Sequence, residues 1–269
     1  MKVDSLVTRV AHAGHGAHRF FGHDVFGDLL GRETVTGLLA LSVTGRRLSH
    51  EEKELLDCLS VVLSVADPRI WPLKITRLIG AYGRTSAAFC SAQICVDSDV
   101  IGMWSGAQQA AQTLLDLQAA LTAPESSEDE LAAFLATKKR LIGYGVPFRA
   151  RDERLDALRE CLEQRGRTGM TFWRLQERLS EMVTRTRNIG PNIVIGTAAM
   201  LLDLGFDVHQ VPAMGHLLLL PTFVANAVEG AAQAPAVLRC LPDDAIDYIG
   251  VAPRLSERAQ RRPGALSVP

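Results

Sequence analysis

At 269 residues and 47% hydrophobic content, the chain is long enough to bury a sizeable core and to form two modest domains. Its 29 Lys and Arg stand against 30 Asp and Glu, with no block of one sign, which excludes the electrostatic footprint of a nucleic-acid or anionic-membrane binder. Five scattered cysteines (Cys58, Cys90, Cys95, Cys161, Cys240) contain no CxxC pair and fall mostly in apolar helical stretches, so they read as buried, reduced thiols of a cytoplasmic protein.

Helical periodicity dominates the chain, and alternating strand patterns are nearly absent. The opening MKVDSLVTRVAHAGHGAH lacks the continuous apolar stretch of a secretory signal. His12, His15 and His18 lie in a glycine-rich stretch with no long apolar face to fix a helix; they define no zinc geometry and read as a mobile or turn-forming segment, so no metal is expected. After Gly22-His23-Asp24, Val25 to Leu41 reads as helical, with Gly27, Gly31 and Gly37 blurring its ends. Ser49 before Glu51 and Glu52 marks an N-cap, and the helix it opens runs to about Ala66, where Asp67-Pro68 breaks it.

Residues 70–97 predict one or two helices interrupted near Gly80–Gly83. A further helix starts near Ser105, with Ala107, Ala110, Ala111, Leu114, Leu117 and Leu121 at three-four spacing. The polar break at Ala123–Ser127 marks a domain boundary, and Ser127 caps a helix that ends in Lys138-Lys139-Arg140. Helices over Asp152–Gln164, Thr171–Arg187, Asn192–Leu204 and Val211–Glu229 follow, with Pro221 expected to kink the last. The apolar runs Ile193–Leu204 and Leu217–Val228 are each shorter than the roughly 20 residues of a membrane-spanning helix, so no membrane partner is expected. The tail after Pro253 is basic and poor in large apolar residues.

Six segments, in order, resemble the citrate synthase superfamily, especially its short citryl-CoA lyase-like members. Gly22-His23-Asp24-Val25 resembles R-G-Y-D-[IV]; Val65-Ala66-Asp67-Pro68 resembles the A-D-H stretch; Trp104-Ser105-Gly106-Ala107 resembles H-G-G-A. Gly143-Tyr144-Gly145-Val146-Pro147-Phe148 with Arg151–Arg154 is similar to G-F-G-H-P-V followed by D-P-R. Pro191–Val194 and Leu202–Phe206 are similar to L-N-V-D-G and L-D-L-G-F, and Asp244–Gly250 to I-D-Y-V-G. The resemblance implies an all-α, two-domain fold: a large helical domain (1–122 with 209–269) and a smaller inserted one (123–208). It also implies a homodimer and a cleft for an acyl-CoA or carboxylate, with a CoA thioester as substrate or ligand and no resident cofactor.

The family's reaction makes or releases an enolate. One carboxylate moves the alpha proton, one histidine stabilises the enolate oxygen and a second polarises the keto oxygen of the partner substrate. At the matching positions this chain has Trp104, Val146 and Val194, none of which transfers a proton; Pro68 replaces the A-D-H histidine. A general base alone supplies about 10²–10⁴-fold. None of the seven histidines falls in the three catalytic segments, and Asp203 lies too far along its helix to substitute. The catalytic groups of any remaining chemistry are therefore unknown.

Cationic groups remain. Arg154 matches the D-P-R arginine, which in the family holds a substrate carboxylate by bidentate, charge-assisted pairing. Arg149 and Arg151 flank it, on a loop that lies near the CoA pantetheine and phosphates in the family; Arg69 and Lys74 follow Asp67-Pro68, and Ser105 and Tyr144 complete the candidate binding set. Leu219 and Asp243 stand near where other anion-binding arginines of the family sit. Trp104 reads as a plug filling the histidine's space, or else as a flat wall for a ligand. Asn192 and Gln108 read as capping or surface groups. Two functions stand: a protein keeping a carboxylate or acyl-CoA cleft with altered chemistry, and a catalytically silent dimeric scaffold or regulatory partner.

Overall fold

The computed structural model describes residues 7–96, 103–121, 127–146, 151–233, 242–245, 247, 249 and 250. The chain divides into two compact units, Met1–Pro235 and Ala236–Pro269. Among the described residues of the second unit, Asp243–Ala245 form a 3-10 turn. The basic tail, Cys240, and Ile246 and Tyr248 of the segment resembling I-D-Y-V-G lie outside the described residues.

The first unit opens with an antiparallel sheet, β1 (Ala11–Gly14), β2 (Ala17–Phe20) and β3 (His23–Asp24), in that order. The segment does form a turn, as expected, but one that joins two strands. His15-Gly16 is a two-residue hairpin loop, and Gly16, at φ +75°, supplies the left-handed position such a turn needs. His12 faces Arg19 and Ala13 faces His18 across the pair. Among the described residues no group of three His, Cys, Asp or Glu could hold a metal ion.

The helix expected over Val25–Leu41 is two elements. A π-helical turn, Val25–Leu29, is capped by Asp24, which accepts from the N–H groups of Phe26 and Gly27. Gly31 at φ +76° then redirects the chain, and α1 (Val35–Thr44) starts afresh on the Thr34 cap. Arg47, Lys53, Asp28 and Glu33 tie the two pieces to α2 (His50–Leu63), with Lys53 Nζ 2.8 Å from Glu33. Burial alone would raise the Glu33 carboxyl; Lys53, the Thr34 N–H and Arg47 hold it below the usual range.

Ser49 caps α2, as the sequence predicts, and Glu52 completes a capping box by accepting from the Ser49 N–H. The following helices are α3 (Trp71–Gly80), α4 (Thr85–Val96), α5 (Met103–Ala120), α6 (Glu128–Thr137), α7 (Glu153–Gln164), α8 (Thr171–Arg187), α9 (Ile193–Asp203) and α10 (Gln210–Ala231). α6 stops before Lys138–Arg140 because Lys138 is already extended. α8 and α9 lie where the periodicity predicts them. α8 borrows its cap: Met170 offers no side-chain oxygen, and Asp203 accepts from the N–H groups of Phe172 and Trp173 at 2.8 Å. That use explains an aspartate at the end of an otherwise apolar helix.

α9 is apolar all round and buried nearly throughout, as a central helix must be. It packs on α5 and α8, and the α5 residues Ala107, Ala110, Ala111, Leu114 and Leu117 are fully buried. α10 corrects the expectation of short apolar runs: its 22 residues are long and apolar enough, by length and composition, to cross a membrane. Its environment is that of a core helix, packed against α1 to α5. Its buried Asn226 donates to the Ala66 and Thr222 carbonyls. The helix continues through Pro221.

Candidate functional site

Three stretches far apart in sequence converge. The hairpin-like pair 143–146 and 190–192 is joined by Gly145 N–H to Gly190 O (2.7 Å), Asn192 N–H to Gly143 O (2.8 Å) and Asn192 Nδ2 to Gly145 O (2.8 Å). Tyr144 and Pro191 form the bridge between them. Gly143, at φ +92°, lies so close to α9 that an added Cβ would sit 2.7 Å from the Ile195 side chain. On the other side, a Cβ on Gly106 of α5 would touch Ile142 at 3.2 Å. The first turn of α5, the 142–146 turn and the head of α9 are thus neighbours.

The three positions on these stretches that match the family's catalytic groups, Trp104, Val146 and Val194, are apolar. Trp104, at the head of α5, is 1% exposed; its ring lies directly over Gly215 and 5.5 Å from the His216 imidazole, tilted 54°. It fills the interior. Val146 is half-buried, and Val194 is partly buried against the core at the head of α9. Asn192 caps α9, accepting from the Val194 N–H at 3.0 Å. His216 and His209 (Nδ1 3.3 Å from Gln108 Nε2) were missed as neighbours of α5. Their two-turn spacing on α10 puts them on one helix face, but nothing in the sequence names the helix that face meets.

Each expected binding residue except Arg149 has a definite place. Arg154, in the first turn of α7, grips Asp152 side-on, with Nε to Oδ1 and Nη2 to Oδ2 both at 2.8 Å. Asp152 is 4% exposed, caps α7 through the Arg154 N–H and accepts from the buried Ile193 N–H at 2.9 Å. Burial alone would raise its carboxyl; Arg154 and these N–H groups win and hold it below the usual carboxylate range. The Arg154 side chain remains one-third exposed. It is the only charged residue among the described lining of a pocket of about 100 Å³ that includes Leu63, Ile70, Leu73, Leu219, Thr222 and Phe223.

The other candidates do not join Arg154 in that pocket. Tyr144 points inward, its hydroxyl 3.3 Å from Ser180 Oγ, and burial pushes its phenol well above the ordinary value. Arg69 is exposed and paired with Asp67 two residues earlier. Lys74 is exposed on α3. Ser105 is half-buried on α5, and Arg149 lies outside the described residues. Arg151 pairs with Asp156 at 2.7 Å and lines a separate groove of about 780 Å³. There Arg151, Arg159 and Arg185 face Asp152, Asp156, Glu177 and Glu181. Each of those arginines is already paired, so the described part of this groove offers no excess positive charge to a polyphosphate.

The thiols are also corrected. Cys58, Cys95 and Cys161 are half-exposed and Cys90 is exposed.

No family model matches the sequence, and no curated protein matches it. Solved structures do. Citryl-CoA lyase from Hydrogenobacter thermophilus is similar with a TM-score of 0.76 at 16% identity, over 96% of this chain and 99% of that one. ATP citrate lyase from Methanothrix soehngenii, solved with citrate and coenzyme A, is similar with a TM-score of 0.69 at 14% identity, over 94% of this chain and 43% of that longer one. Citrate synthase from Thermotoga maritima MSB8 follows with a TM-score of 0.60 at 18% identity, over 85% and 61%. The superposition extends over nearly the whole chain while the sequences have diverged almost completely. The chain therefore has the all-α citrate synthase-like fold, of the kind that citryl-CoA lyase has.

Proposed function

We propose that this protein does not run the carbon–carbon chemistry of its structural relatives and instead binds a small carboxylate at Arg154. The observation that carries the reading is the oriented guanidinium beside an apolar pocket. Asp152 fixes Nε and Nη2, which leaves Nη1 outside that pair on a one-third-exposed side chain. The apolar character of Trp104, Val146 and Val194 supports the loss of proton transfer, since none carries a titratable group near neutral pH. A pocket of about 100 Å³ suits a short acid, not a triacid. The charge-balanced groove around Arg151 favours a free acid over the phosphates of an acyl-CoA.

Titration calorimetry separates the ligand classes. Short mono- and dicarboxylates are expected to bind, and acetyl-CoA to bind no better than its acid. Arg154→Ala is expected to weaken the acid about 10–100-fold, the equivalent of a lost charge-assisted contact. Unchanged affinity in that variant removes Arg154 from the site.

A second reading, a silent dimeric scaffold or regulatory partner, is favoured by the same ion pair: Arg154 is already satisfied by Asp152, and Trp104 leaves little interior space. No heat with any acid or thioester would decide for it. The homodimer belongs to both readings and is supported by the exposed Phe26, Leu30 and Val35 around the π-helical turn. The division into 1–122 with 209–269 and 123–208 is kept as part of the proposal.

A further inference from the structure

We propose that Cys58 and Cys161 form a redox-active dithiol whose oxidation to a disulfide staples α2 to α7. The two sulfurs stand 2.8 Å apart although 103 positions separate them in sequence. A disulfide bond is about 2.03–2.05 Å long, so closing it requires the sulfurs to approach by less than about 1 Å. Both side chains are only half-buried, at the exposed edge of the contact between the two helices, so a small reagent can reach them. Cys95 donates to the Ser91 carbonyl on its own helix.

A cation stands at the pair. Arg165, just past the end of α7, hydrogen-bonds Cys161, faces Cys58 and is anchored by Glu54 of α2 at 2.7 Å. A guanidinium beside a thiol favours the thiolate, the form that attacks a disulfide. Burial and the neighbouring thiol push Cys58 the other way, with Arg165 opposing them. Arg165 lies one helical turn beyond Cys161 on the same side of the chain, so Cys161 is assigned as the attacking thiol and Cys58 as the resolving one. Among the described residues no third His, Cys, Asp or Glu completes a metal-binding set here, which favours redox chemistry over metal binding.

The oxidant is a low-molecular-weight disulfide. The Cys161 thiolate attacks one of its sulfurs, the reagent's S–S bond breaks, one small thiolate leaves and a mixed disulfide forms on Cys161. Cys58 then loses its proton and attacks the Cys161 sulfur, expelling the second small thiolate. The protein loses two electrons and two protons; the reagent gains both and leaves as two thiols.

The test uses the full chain and oxidised glutathione. After incubation, free thiols are capped with a maleimide and the digested protein is mapped by mass spectrometry. A Cys58–Cys161 cross-linked peptide is expected, with the label lost from these two sites and kept on Cys90. Melting should rise by about 5 °C or more, because the cross-link closes a long loop, and dithiothreitol should reverse the rise. Cys58→Ser should stop at a glutathione adduct on Cys161. If wild-type Cys58 and Cys161 label as fully after oxidation as before, or carry separate glutathiones without a cross-link, the proposal fails. The wild-type map decides this even if a serine variant folds poorly.

Discussion

Gly230→Ala is expected to lower the melting temperature by about 4–8 °C, a net loss of about 2 kcal/mol at roughly 2–4 °C per kcal/mol for a chain of this size. α3 and α10 cross at a glycine pair. A Cβ on Gly230 would lie 2.5 Å from the Arg77 carbonyl oxygen, and one on Gly80 would lie 2.6 Å from the Ala227 carbonyl oxygen. Both obstacles are backbone, so no side chain can swing aside and the helices must separate. Overpacking of this kind costs up to about 3 kcal/mol, whereas alanine gains about 1 kcal/mol of helix propensity over glycine; sterics win. Arg77, which ties α3 to Glu229 of α10 at 2.6 Å, would shift with them. Gly169→Ala is the control, since nothing lies within 4 Å of its added Cβ and its change should stay within about 0.5 kcal/mol. Gly80→Ala should resemble Gly230→Ala, and the double variant should cost less than the sum because one separation relieves both contacts. Thermal melts of the four variants beside wild type check this; a Gly230→Ala protein as stable as wild type would mean that the crossing is looser.

Asp152→Ala is the second large effect, expected to cost about 3 kcal/mol: roughly 1 for the lost cap and about 1–3 for the orphaned Ile193 N–H. The Arg154 pair adds little, because its guanidinium is one-third exposed and solvent screens it. Asp152→Asn keeps an acceptor and should cost less. The difference also has a pH signature. The Asp152 pKa is depressed in the folded chain, so its contribution is fully present above the unfolded value, about 3.9, and is lost as pH falls through the lower folded value. Wild type should therefore lose stability below about pH 4 more steeply than Asp152→Asn. Parallel acid-unfolding curves for the two proteins would show that Asp152 carries no net charge-dependent stabilisation.

Much of this molecule is legible from local signals. The Ser49 cap, the Asn192 cap and the three-four spacing of α5 act over a few residues, and each lies where the sequence predicts. The N-terminal hairpin is not legible because β1 is only Ala, His and Gly, residues with little strand preference, and β2 has a single strand-favouring residue, Phe20. Gly31 blurs a predicted boundary in the sequence and in the fold separates two elements, since only its left-handed φ decides the matter. At the site, the sequence supplies Arg154 but not its partner's reach to Ile193, 41 positions away. Nor does it supply the His216 imidazole over Trp104, or Cys161 beside Cys58. These are tertiary juxtapositions with no local pattern behind them.

One assay bears on the central claim most directly: citryl-CoA cleavage, and citrate formation from acetyl-CoA and oxaloacetate, by the purified chain. With Trp104, Val146 and Val194 in place, both rates are predicted to stay at the no-enzyme background. Sustained turnover by the pure protein, abolished in His216→Ala, would contradict the account and give the missing imidazole to α10.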